Sequence, residues 1–88
     1  MVITRDKIVE KLAAYLSLTL SLSDLVDWAE TAMMDAEFDE SDFELIRSVI
    51  AQIGLADVRA FNLSWQTCVD MLNRLGYVAQ VQIVAKPG

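Results

Sequence analysis

The sequence predicts a mostly α-helical domain, about four packed helices with a short C-terminal strand that makes it a small α+β unit. Three observations lead to this class. Thr4, Ser21, Asp39 and Ser64 each precede a run whose apolar side chains recur at helical spacing. Residues 77–84, Tyr-Val-Ala-Gln-Val-Gln-Ile-Val, switch to a β-rich alternating pattern. Hydrophobic residues make up 55% of the 88-residue chain, against three Gly and one Pro, which favours one packed core over linkers or disorder. Residues 1–88 are therefore expected to form a single compact domain.

The first helix should begin at Arg5 behind the cap of Thr4 and bury Ile8, Leu12, Tyr15 and Leu16, with Lys7 and Lys11 on its outer side. The alternating Leu16–Leu22 stretch has the period of a strand. It reads better as a short connection, because Ser21 and Asp24 form a capping-box pattern flanked by a Leu20–Leu25 hydrophobic staple. A second helix then runs from Leu22 to about Ala36, burying Leu25, Ala29, Ala32, Met33 and Ala36, with Trp28 at the edge of the stripe and Met34 facing outward. Asp39 caps the third helix, with Phe38 and Phe43 stapled across it, and Ser41 with Glu44 offers a competing box.

This third helix should continue to Ile53, with Phe43, Ile46, Ile50 and Ile53 on one face and Leu45 and Val49 on another, and the other helices should pack around it. Gly54 fits the left-handed residue that ends it. Asp57–Phe61 could form a short strand. Ser64 caps a fourth helix, Trp65–Leu75, with Trp65, Cys68, Val69 and Leu72 inward, Met71 and Leu75 at the margins, and Gly76 at its end. A strand at residues 77–84, with Tyr77, Ala79, Val81 and Ile83 on one side, needs a partner. Candidates are residues 57–61, the N-terminal Met-Val-Ile-Thr, or the same strand of a second copy.

Charge is distributed unevenly. The chain carries 13 Asp and Glu against 7 Lys and Arg, for a net charge of −6. Asp24, Asp27, Glu30, Asp35, Glu37, Asp39, Glu40, Asp42 and Glu44 all fall between Lys11 and Arg47, with no basic residue among them. A folded domain should therefore show one concentrated negative surface. Such a surface suits a basic protein partner and disfavours nucleic acid, whose phosphates need clustered Lys and Arg. The residues expected to carry partner binding are Asp27, Asp35, Glu37, Phe38, Asp39, Glu40 and Asp42. Phe38 decides between two readings: exposed among acids it is an interface anchor, and buried it is only the staple.

Other chemistry finds little support. The chain has no His and one Cys, so no disulfide within the chain, no usual zinc constellation and no His-activated nucleophile can form. Cys68 falls on an apolar stripe and reads as a buried structural thiol. The run Asp35–Ser41 has acids at alternate positions, as calcium loops do, but Glu40 stands where such a loop needs Gly and Ile46 where it needs a bidentate Glu. Acids in the first turn of a helix also have an ordinary explanation, being favoured by the helix dipole. The expectation is no metal site, no cofactor and no enzymatic activity. The uncharged stretch Leu12–Ser23 is too short to cross a bilayer, and Arg5, Asp6, Lys7 and Glu10 occupy the place of a signal's apolar core, which leads to the expectation of a cytoplasmic protein without a membrane partner.

Residues 15–30, Tyr-Leu-Ser-Leu-Thr-Leu-Ser-Leu-Ser-Asp-Leu-Val-Asp-Trp-Ala-Glu, resemble a pattern in short bacterial proteins, in which a helix and a tight connection lead into a Ser-capped helix carrying Asp-Trp-Ala. In size, acidity and helical character the chain is similar to the colicin immunity proteins, although its β-rich C-terminus departs from their all-helical fold. That resemblance implies a protein that holds a basic nuclease inactive by covering it with an acidic face; no residue-level motif is matched. The resulting functional expectation is a non-enzymatic interaction domain, immunity-like or regulatory, binding a basic protein. The alternatives are a structural module that dimerises through its C-terminal strand, and a metal-dependent activity built on carboxylates alone.

Overall fold

The computed structural model describes residues 2–56, 63–81 and 83–87. In chain order these form strand β1 (Val2–Ile3), helix α1 (Arg5–Leu16), helix α2 (Leu22–Asp35), strand β2 (Glu37–Phe38), a 3₁₀ turn (Glu40–Asp42), helix α3 (Phe43–Gly54) and helix α4 (Trp65–Arg74). The fold is thus four helices with a two-stranded parallel sheet, the mostly helical class that the sequence predicts.

Local chemistry sets the helix starts. The Thr4 hydroxyl accepts the Lys7 N–H, the Ser21 hydroxyl that of Asp24, and the Ser64 hydroxyl that of Thr67, so each helix has one of its free N–H groups satisfied. Asp39 caps too, but through Ser41 and onto the 3₁₀ turn; α3 itself starts at Phe43 with no side-chain cap. The Ser41–Glu44 box does not form, because Ser41 lies inside the 3₁₀ turn and Asp42, not Ser41, precedes α3.

Two helices end in the same way. At the end of α4 the Tyr77 N–H donates to the Leu72 carbonyl and the Gly76 N–H to Asn73, with Gly76 at φ 91°. At the end of α1 the Thr19 N–H donates to Ala14 and the Leu18 N–H to Tyr15, with Leu18 at φ 66°. Both are Schellman closures, and only the first has the glycine that such a closure favours. Gly54 differs from expectation: it is the last residue of α3 and has no left-handed backbone.

One continuous core holds the elements together. Ile3, Ile8, Leu12, Leu25, Val26, Val49, Ile46, Ile50, Ile53, Cys68, Met71 and Leu75 are all fully or almost fully enclosed, and no buried polar side chain interrupts them among the described residues. Each such large aliphatic side chain contributes roughly 1.5–3 kcal/mol by leaving water, before the entropy of ordering is subtracted. α3 packs chiefly on α2, and α4 joins through α1, so α1 shares the central position expected for α3 alone. The stripes shift at helix ends. Met33, Phe43 and Trp65, all expected inside, are half-exposed in terminal turns, where the facing helix no longer covers them; Val26 and Met71 are buried in their stead.

The sheet lies elsewhere than residues 77–84. β1 pairs with β2 in parallel, Val2 opposite Glu37 and Ile3 opposite Phe38, so the N-terminus finds its partner just after α2. Among the described residues of 77–84 there is no strand. After the Gly76 turn, Tyr77 bonds Asp6 and Ala79 packs on the core, so the segment is held along α1 and α4 by side chains in place of a ladder. Val78, Val81, Ile83 and Val84 face solvent. The strand expected at 57–61 lies outside the described residues. No helix among the described residues is long and apolar enough to cross a membrane.

Candidate partner-binding face

The expected partner-binding residues divide into three groups. Asp27 and Asp35 stand exposed on α2. Both lie on the flank that also bears Asp24 and Thr31, following from their spacing of three to four residues. Glu37, Phe38, Asp39 and Glu40 come together in the connection from α2 to α3, where they line a groove of about 850 Å³ with Val2, Met33, Ala36, Phe43 and Arg47. Asp42 is turned away from that groove and is committed elsewhere.

Its commitment is structural. Arg5 Nε donates to Asp42 Oδ2 at 2.9 Å and Nη2 to Oδ1 at 3.1 Å, while Nη1 donates to the Leu75 carbonyl at 3.2 Å. One guanidinium thereby ties the start of α1, the start of α3 and the end of α4. The Asp42 hydrogen bonds, with its charge, raise the Arg5 guanidinium above its ordinary value. Next to this knot the Tyr77 hydroxyl donates to Asp6, which raises the Tyr77 phenol.

Asp39 is also partly used by the fold. Its Oδ1 accepts the Ser41 hydroxyl at 2.7 Å and the Ser41 N–H at 3.1 Å, and these bonds hold its carboxyl below the usual carboxylate range. Phe38 takes an intermediate position between the two readings. It is half-buried, with its ring 5.8 Å from that of Phe43 and tilted by 49°, so the staple across Asp39 forms. Its neighbour Phe43 is the more open of the pair, 45% exposed, and offers the aromatic surface.

Counter-charge reaches this part of the molecule sparingly. Among the described residues the ion pairs are Arg5 with Asp42 and Lys7 with Glu10, and Lys11 places its ammonium over the Trp28 ring 5.7 Å from the centroid. None of these neutralises Asp24, Asp27, Asp35, Glu37 or Glu40. Arg47 shares the groove with Glu37 and Glu40 but forms no ion pair with them, so the acids outnumber their counter-charge, the condition in which an acidic surface attracts basic proteins from a distance.

Sequence reasoning missed Val2, Phe43 and Arg47 as groove residues; Met33 can be read with Trp28 and Met34 as an adaptable partner surface, but its helical spacing assigns it to the core. Met33 and Phe43 carried a signal in their terminal positions on α2 and α3. Val2 carried none, since its place follows from a pairing with residues 35 positions away. Among the described residues no three acids or thiols converge on a point that would hold a metal ion. Cys68 is fully buried, and burial pushes its thiol up to about 11, so at neutral pH it is protonated and inert.

No protein-family model matches the chain, and no curated protein and no solved structure does.

Proposed function

We propose that this protein is a non-enzymatic interaction domain that binds a basic partner protein through its acidic face, in an immunity-like or regulatory role. The observation that carries the reading is the set of exposed carboxylates on α2 and around β2, Asp27, Asp35, Glu37 and Glu40, with no basic residue paired to them among the described residues. A face of this kind raises encounter rates and excludes acidic competitors more than it adds final affinity. The test is capture by the immobilised protein at low and high salt, followed by binding of the purified retained polypeptide to wild type and to the E37K/E40K variant. Basic polypeptides should be retained at low ionic strength and released toward 1 M salt, where the screening length falls to about 3 Å. Retention that ignores salt, or is unchanged by E37K/E40K, refutes the reading.

A second reading rests on a separate observation. Val78, Val81, Ile83 and Val84 are exposed in a segment of strand-forming composition that has no strand partner among the described residues. Pairing of residues 77–84 with a second copy would cover them, making the protein a self-associating module. A monomer by light scattering at high micromolar concentration removes this reading.

A further inference from the structure

We infer that the groove beside β2 selects the partner, taking an extended segment in which an aliphatic side chain is flanked by Lys or Arg. The inference rests on the acidic-face reading and adds to it the part of the face that gives specificity. The first support is the floor. Val2, Met33 and Phe43 are each about half exposed, at 54%, 43% and 45%, and they converge on one depression of about 850 Å³. Singly exposed apolar residues are ordinary, whereas three large ones sharing a concave surface form a seat for an apolar side chain. Met33 adds an unbranched thioether that adjusts to the shape of what enters.

The second support is the rim. Glu37 and Glu40 are exposed at the groove, and Asp39 is held there by Ser41, against a single cation, Arg47. An apolar side chain entering this groove brings its neighbours alongside Glu37 and Glu40, so cations on either side of it meet opposite charge, and acids there meet like charge. The same rim thus repels the wrong segment as well as attracting the right one. The third support is the backbone. Ile3 sits opposite Phe38, and the Asp39 N–H donates to the Ile3 carbonyl at 3.0 Å. Strand alternation then directs the N–H and C=O of Phe38 to the edge of β2 away from β1, where no strand pairs them among the described residues. An extended segment can bond to that edge while its side chain enters the groove.

The experiment uses three labelled peptides of equal length. One alternates Lys with Leu, one alternates Lys with Ser, and one alternates Ser with Leu. Binding to the full chain is followed by fluorescence anisotropy at low salt and by shifts of the Met33 methyl and Phe43 ring resonances. The Lys–Leu peptide should bind at least tenfold more tightly than either of the others and move both resonances. M33S should bring its affinity down to that of the Lys–Ser peptide, with circular dichroism unchanged. Equal, salt-sensitive binding of both Lys peptides overturns the groove and leaves the acidic face standing. Binding of the Ser–Leu peptide as tight as that of Lys–Leu overturns the role of the rim. No binding of any Lys peptide overturns both readings. A dimer that M33S converts to a monomer assigns the groove to a second copy and overturns the proposal as well.

Discussion

Leu18 is a residue in the wrong place for its chemistry, and replacing it by glycine should stabilise the protein. It occupies the left-handed position of the closure that ends α1, with φ 66° and 92% of its surface exposed. An L-residue in that conformation loses roughly 1–2 kcal/mol to the clash of its Cβ with the following carbonyl. Glycine has no such clash, but its freer unfolded chain takes back about 0.4–1 kcal/mol. The side chain itself contributes little, since almost none of it is buried and full burial of a Leu is worth only about 1.5–3 kcal/mol. The balance favours Leu18→Gly by about 0.5–1 kcal/mol. For a domain of this size that corresponds to a rise in melting temperature of roughly 2–8 °C. Thermal and urea unfolding of wild type, L18G and L18A measure it. L18A keeps the Cβ and so should stay close to wild type. A gain in L18A equal to that in L18G would locate the effect in the leucine side chain and refute the backbone argument, as would any loss in L18G.

Gly76 is the matched opposite, because it has φ 91° and a Cβ there would lie 3.2 Å from Arg5 Nη1. Gly76→Ala should therefore lower stability by about 1–2 kcal/mol in urea unfolding. Arg5→Met and Asp42→Asn should each lower the melting temperature, and the double variant should lose less than their sum, since both remove one bidentate pair. Asp35→Asn should raise stability by about 0.3–1 kcal/mol, because this acid stands at the negative end of α2 with no basic residue in the last turn, and, on the proposed function, should slow association with a basic protein. Cys68 should resist thiol reagents until the protein unfolds. Its buried thiol stays protonated up to about pH 11, whereas an unfolded thiol ionises near pH 9. Between these values the unfolded state holds fewer protons, so stability falls as pH rises through that window, by on the order of 2 kcal/mol. C68A should flatten this alkaline slope in unfolding measured from pH 8 to 11, and an unchanged slope would show that the thiol does not cause it.

What the sequence revealed was what neighbours along the chain decide. Thr4, Ser21 and Ser64 cap the helices they are expected to, and Asp39 caps the 3₁₀ turn ahead of its expected helix, because a cap depends on a hydroxyl or carboxylate and the N–H groups two or three residues on. The Leu16–Leu22 alternation gives way to a turn for the same reason: Ser21 competes locally and wins. The sheet was not legible. Val2–Ile3 and Glu37–Phe38 are two residues each, too short for any period, and they meet only because α1 and α2 fold back on one another. Arg5 and Asp42 are 37 residues apart, so their pair was hidden too, and an acid counted for partner binding turns out to hold the fold together. Met33, Phe43 and Trp65 have inward-facing spacing, but spacing specifies direction and not how far the neighbouring helix extends.

The acidic run in the middle of the chain was the main lead to a partner, and the structure separates its members by what the fold asks of them. Asp24 lies in the first turn of α2 and Asp39 caps the 3₁₀ turn, both places where an acid favours the helix it begins. Asp42 is balanced by Arg5. Asp35 and Glu37 have no such account. Asp35 ends a helix, where the dipole opposes a negative charge, and Glu37 lies in a strand, where glutamate is disfavoured. Neither is neutralised by an ion pair among the described residues. Residues that oppose local stability and contribute nothing to packing are where a functional requirement shows most directly, since stability alone would replace them. The case for partner binding is therefore strongest at Asp35 and Glu37 on either side of Ala36, next to the groove that Met33 and Phe43 leave open.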